Sequence, residues 1–164
     1  MGITLPGEVS YLLNMLGFMW PNTDEGDLFS KGGEWQSFAS DASGTKAGAD
    51  EGIQHVLSAN KGSAMEAFRK AVGEGEDPVQ DVAQKLSAGS AGVGACMYVM
   101  AGVVIALKIV VVVQLVALAI QIASAIAAAV PTFGASMSWI PIAKIIAKLA
   151  IEAAINLAME HLMG

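Results

Sequence analysis

The feature that most constrains this chain is the run AGVGACMYVMAGVVIALKIVVVVQLVALAIQIASAIAAAV, Ala91 to Val130, in which Lys108 is the sole charge. Forty residues without a turn signal are several times longer than an ordinary strand. The β-branched residues therefore belong to a helix, and that helix is apolar along its whole length. Residues 109–130 carry no charge and are long enough to cross a bilayer core, which takes about 20 residues. Gln114 and Gln121 stand one heptad apart with Ser124 nearby, the mark of a narrow polar seam between packed helices. The run is thus either the covered centre of a soluble bundle or a segment that enters lipid, and self-association reconciles the two by covering apolar area in water.

Whatever packs on this helix has to come from the rest of the chain. Pro131 and Gly134 punctuate a short uncharged loop, PTFGASMS, after which Ser138 can cap a last helix with Pro141 in its first turn. Lys144, Lys148, Glu152, Asn156 and Glu160 recur every four residues along that helix, a slowly drifting polar stripe on an otherwise apolar cylinder. An uncharged tip on an apolar hairpin offers nothing that resists entry into lipid. Only 15% of the residues are charged, against about 25% in ordinary soluble domains. Those charges are divided unevenly: residues 1–90 hold thirteen Asp/Glu and six Lys/Arg, residues 91–164 two and three. A net charge of −6 with no basic cluster excludes a nucleic-acid partner, whose phosphates need Lys and Arg.

The acidic half reads as helices too. Val9, Leu12, Leu13, Leu16 and Met19 share one face of a helix over residues 7–19, which Trp20-Pro21 is expected to end. Thr23 or Asp24 can cap a second helix. Along it Leu28, Trp35, Ala42, Ala49 and Val56 recur every seven residues, with Phe38 and Ile53 near the complementary positions, so that Trp35 is expected on a buried seam. Gly44, Gly48 and Gly52 are spaced by four, a spacing that permits close backbone approach. Asn60-Lys61-Gly62-Ser63 breaks the pattern, with Gly62 suited to a left-handed turn, and Ala64, Met65, Phe68, Ala71 and Val72 restart it. The result is a helix-turn-helix hairpin from about Asp24 to Val72. GEGEDP breaks the chain again; Asp77 is expected as an N-cap with Pro78 at the first helical position, and Val79, Val82, Ala83 and Leu86 continue the apolar face. The fold class is all-α: a bundle of about five helices in one domain over residues 1–164, with an acidic amphipathic part at 1–76 and an apolar helical hairpin at 77–164.

Chemistry has little to work with. Cys96 is the lone cysteine, which rules out an intrachain disulfide and reads as a buried inert thiol. His55 and His161 are the two histidines, and no His, Cys or carboxylate spacing suits zinc. GEGED lacks the ending of a phosphate loop and follows no strand. No enzyme, metal or cofactor is expected.

The opening residues, Leu5-Pro6-Gly7-Glu8, Leu16-Gly17, Trp20-Pro21, Asp24-Glu25, Leu28 and Trp35, stand in an order that resembles the WXG-like N-terminal domain of actinobacterial polymorphic toxins, the group that includes the channel-forming necrotising toxin of mycobacteria. The resemblance spans nearly the whole chain. It implies a helical, non-enzymatic domain associated with type VII (ESX) secretion, with a toxin domain further along a longer protein. NKGSAMEAF resembles the family's Trp-x-Gly turn, with Gly62, Ala64 and Phe68 at matching places and Asn60 where the Trp stands. Neither Tyr11 nor Tyr98 is followed by an acid at the fourth position, as the family's export signal has it, and Trp20-x-x-x-Asp24 is the nearest equivalent. A helical partner, or a second copy, is the implied companion and can supply that signal. With no basic n-region and cleavage motif at the start, a signal-peptide-independent route to the envelope or the medium is expected, with the chain cytoplasmic before export.

Overall fold

The structure is a computed structural model that describes residues 2, 4–20, 23–74 and 78–163. Five helices follow one another: α1 (Gly7–Met15), α2 (Glu25–Ala59), α3 (Ser63–Glu74), α4 (Val79–Ala127) and α5 (Trp139–Met163), with a 3-10 turn at Ala135–Ser138 before α5. No strand occurs among the described residues. The all-α expectation and the long apolar helix both hold.

Local chemistry explains the ends. α1 is shorter than its apolar spacing suggests, because Gly17 ends it before Trp20 can. Gly17 takes φ +86°; its N–H donates to Asn14 and the N–H of Phe18 to Leu13, the paired bonds of a Schellman cap. Met19, placed on the apolar face by its spacing, falls beyond the cap and is exposed. At the start of α2, Asp24 is the cap: Oδ1 accepts from the N–H groups of Gly26 at 2.8 Å and Asp27 at 3.3 Å. Gly62, at φ +115°, turns the chain between α2 and α3, a conformation that a Cβ disfavours. Its carbonyl accepts from Met65 and Glu66, so it serves the start of α3. Pro78 stands one residue before α4, its carbonyl accepting from Asp81 and Val82; Asp77 lies outside the described residues. Ser138 does not act as the expected cap, since its hydroxyl donates back to Ala135 at 2.7 Å.

The chain divides into two compact units, one formed by residues 1–27 with 99–164 and the other by residues 28–98. The first has a core of large aliphatic side chains: Leu13 and Leu16 of α1, Val111, Leu115 and Leu118 of α4, and Ala143, Ala147 and Ile151 of α5. Complete burial of a Leu such as Leu115 contributes about 1.5–3 kcal/mol.

The second unit is built on small residues. Gly32, Ala39 and Ala42 of α2 and Ala83, Ser90 and Gly94 of α4 are buried, and the two backbones meet at Gly32 and Gly94. A Cβ on Gly94 would lie 2.9 Å from the carbonyl oxygen of Gly32, and one on Gly32 2.8 Å from the Tyr98 ring. Gln36 fastens this crossing by donating from Nε2 to the Ala91 carbonyl at 2.9 Å. The close approach is therefore not at Gly44, Gly48 and Gly52, each of which faces open space. So tight a seam leaves no room for bulk, which is why Val79, Val82 and Leu86 stay exposed while Ala83 goes inside.

Every buried residue of α4 falls on one of two interleaved series of period seven: Ala83, Ser90, Val111, Leu118 and Ala125 on one, Gly94, Ala101, Lys108 and Leu115 on the other. That is a coiled-coil type of seam, continuous along the helix although its content changes from small to large.

Candidate interaction surface

Lys108 sits on that seam and is 2% exposed. Its Nζ donates to Glu25 Oε2 at 2.6 Å and to the Thr23 carbonyl at 2.7 Å, and lies 5.7 Å from the centre of the Trp20 ring. An ammonium buried among aliphatic side chains needs such partners, because removing it from water costs several kcal/mol. Trp20 is half-buried against the aliphatic core and contributes cation–π attraction. The lone charge of the apolar run thus fastens the α1–α2 connection to α4.

Asp24, beside this anchor, also accepts from the N–H of Gly2 at 3.1 Å. Partial desolvation pushes its carboxyl up. Hydrogen bonds from the Asp27, Gly26 and Gly2 amides outweigh that effect and leave the group below the ordinary aspartate range.

The remaining sequence-selected residues scatter. Pro21 lies outside the described residues. Trp35 is 37% exposed, not buried, because Gly32, Ala39 and Ala42 occupy the seam; its ring meets Phe38 edge-on at 6.1 Å. Phe68 is half-buried in α3 and lines a shallow hollow with Ile53 and Val56 of α2. Gln114 and Gln121 are half-buried, and Gln121 Oε1 is enclosed with no hydrogen-bond partner among the described residues. Pro131 and Gly134 shape the exposed tip between α4 and α5, Gly134 at φ +84°. Cys96 is exposed rather than buried, since it falls on neither seam series and is turned away from both.

Around the core the surface of the first unit is strongly apolar. Ile109, Val113, Val116 and Ile120 of α4 and Ile145, Ile146 and Leu149 of α5 are all exposed, and Phe133 at the tip is fully so. The most hydropathic stretch of α4 has a mean hydropathy of 2.9, yet 22% of it is buried, where the core helix of a soluble protein would be mostly covered. An open apolar groove runs between Val103, Leu107 and Val110 of α4 and Ala154, Leu157 and His161 of α5. The polar stripe on α5 includes Lys148 and Glu152, 3.8 Å apart and solvent-exposed; such a pair is worth little.

A profile of the WXG100 like domain family matches residues 4–149. The chain belongs to that family. WXG100-like proteins are helical, type VII secretion-associated proteins that pair through their helices with themselves or with partners. No curated protein and no solved structure matches this chain. The matched residues span the whole of the second unit and part of the first.

Proposed function

We infer that the chain is a non-enzymatic delivery module of a type VII toxin or effector, working by helix–helix pairing with a helical partner or a second copy, and joined in its natural setting to a toxin domain. One observation carries this reading: the apolar outer face of α4, left uncovered over the stretch that its composition would place in a protein interior. Exposed apolar area on this scale marks an interaction site. The export role is tested by fusing a reporter enzyme to the chain in a host with a type VII system and in the same strain lacking the system's ATPase. Reporter outside the cells in the first strain alone supports the module; retention in both overturns it.

A second reading, insertion into a membrane, has an observation of its own. Between Lys108 and Lys144 no residue is charged, and this stretch contains the tip, where Phe133 is 100% and Val130 86% exposed. Dye release from lipid vesicles tests it. Phe133→Asp abolishes release on this reading and leaves the helical circular dichroism unchanged; equal release by both proteins removes the tip from the mechanism.

A further inference from the structure

Lys108 is placed where a membrane would need a cation. From Ile109 to the end of α4 at Ala127 the helix runs about 28 Å at 1.5 Å per residue, against about 30 Å for the hydrocarbon core of a bilayer. With that stretch in lipid, Lys108 falls at the boundary, and its four-carbon stem lets the ammonium reach the headgroups. An ammonium drawn out of water needs a counter-charge in either setting. In the closed structure Glu25 supplies one, at 2.6 Å, beside the Thr23 carbonyl at 2.7 Å.

Glu25 is poorly suited to follow Lys108 into a bilayer. It opens α2 between Asp24 and Asp27, in the half of the chain where thirteen acids against six bases leave residues 1–90 at net −7. Residues 91–164, with two acids and three bases, are at net +1. An anionic surface thus attracts the half that holds Lys108 and repels the half that holds Glu25. The phosphate of an anionic lipid offers the ammonium the same charge and the same kind of acceptor oxygen as a carboxylate.

Between the two states stands the segment that brings Glu25 to Lys108. Leu13 and Leu16 of this segment are buried in the aliphatic core, and Met15 Sδ lies 3.8 Å from Lys144 Nζ of α5. Tyr11, Asn14 and Met15 of the same helix are exposed, so α1 is held by two leucines and by the ion pair beyond its end. Lifting it bares the inner side of α4 next to Ile109, Val113 and Val116, which are already outside.

We propose, resting on the membrane reading above, that Glu25 holds on Lys108 the place that the phosphate of an anionic phospholipid takes when residues 109–130 enter a bilayer. Residues 4–20 are the strap that this exchange releases.

The test uses the purified full chain. Dye release is compared between vesicles of phosphatidylcholine alone and vesicles that also contain phosphatidylglycerol; one lysine at an anionic surface is worth about a fivefold preference for the latter. A chain of net charge −6 gains no such preference from its overall charge. Lys108→Met with Glu25→Leu loses it and Lys144→Met keeps it; the reverse overturns the proposal. Equal release of dye from both vesicles by the wild type overturns the exchange and leaves the membrane reading standing, whereas release from neither sinks both. Amide hydrogen exchange follows the strap. Glu25→Gln speeds exchange in residues 7–15 at least about tenfold and leaves residues 83–94, in the other unit, unchanged. Equal acceleration in both stretches is general loss of stability and overturns the strap, as does a wild-type α1 that already exchanges like an unfolded peptide. If the double variant loses its helical circular dichroism, exchange in the unaltered chain decides: vesicles with phosphatidylglycerol speed α1, and those of phosphatidylcholine alone do not. Inorganic phosphate without vesicles leaves α1 protected; opening by phosphate alone overturns lipid as the ligand.

Discussion

The two compact units solve the same packing problem with opposite materials. Residues 28–98 bring helices together on Gly, Ala and Ser, so backbone meets backbone and the large side chains stay outside. Residues 1–27 with 99–164 use Leu, Val and Ile, and bury the Lys108–Glu25 ion pair beside them. The first kind of seam depends on the absence of atoms and the second on their presence. A period of seven in α4 serves both, which shows that phase and residue size are separate variables in helix packing.

The largest expected effect is at the ion pair. Lys108→Met removes the ammonium that Glu25 and the Thr23 carbonyl share, and breaking a buried pair from one side costs about 3–5 kcal/mol; adding Glu25→Leu should recover part of that loss in denaturant melts. If the single variant melts like the wild type, the anchor is not holding the aliphatic unit together. Leu115→Ala, in the same unit, should cost about 2–5 kcal/mol, the range for a buried Leu truncated in place.

Smaller effects distinguish the seams by sign. Gly94→Ala forces a methyl against the Gly32 carbonyl and should destabilise by about 1–3 kcal/mol. Gly48→Ala, in open space on α2, should instead stabilise by up to about 1 kcal/mol through helix propensity. Thermal melts that move both midpoints the same way would break the contrast between tight and open glycines. Trp35→Ala should lose about 0.5–1.5 kcal/mol, the worth of an aromatic pair such as that with Phe38, well below the cost of truncating a buried ring. A loss comparable to Leu115→Ala would put Trp35 in the core after all.

The smallest effect is electrostatic. Asp24 is held below its ordinary range, so its contribution is complete above about pH 4, the unfolded value, and fades as pH falls through the lower folded value. Asp24→Asn should keep capping α2 and flatten that part of the stability profile. An unchanged slope would mean that Asp24 titrates alike in both states.

Helices, the α2–α3 hairpin and the turn at Gly62 are legible in the sequence because periodicity and breakers are local. Partners are not. Lys108 stands out as a lone charge, yet Glu25 is 83 residues away and looks like an ordinary first-turn acid. The regular spacing of Gly44, Gly48 and Gly52 points to a tight seam there, whereas Gly32 and Gly94 become informative only as a pair. An inward Trp35 or Leu86 follows from the assumption that bulk seeks burial, and the close crossing at Gly32 reverses it. Cys96 escapes a sequence reading for a related reason: in a segment apolar on every side, composition does not say which side faces in.

The unbroken seam of α4, from Ala83 to Ala125, also makes unequal demands on different kinds of mutation. Exchanging one aliphatic residue for another preserves the angular address of everything downstream. Inserting a single residue between Lys108 and Val111 does not: it turns one against the other by about 100°, so that Lys108 cannot meet Glu25 while Val111, Leu115 and Leu118 stay on the core. Four inserted residues come within about 40° of a whole number of turns and do far less angular harm. Drift in this helix should therefore be free in letters and strict in length, with gaps arriving in whole turns or not at all.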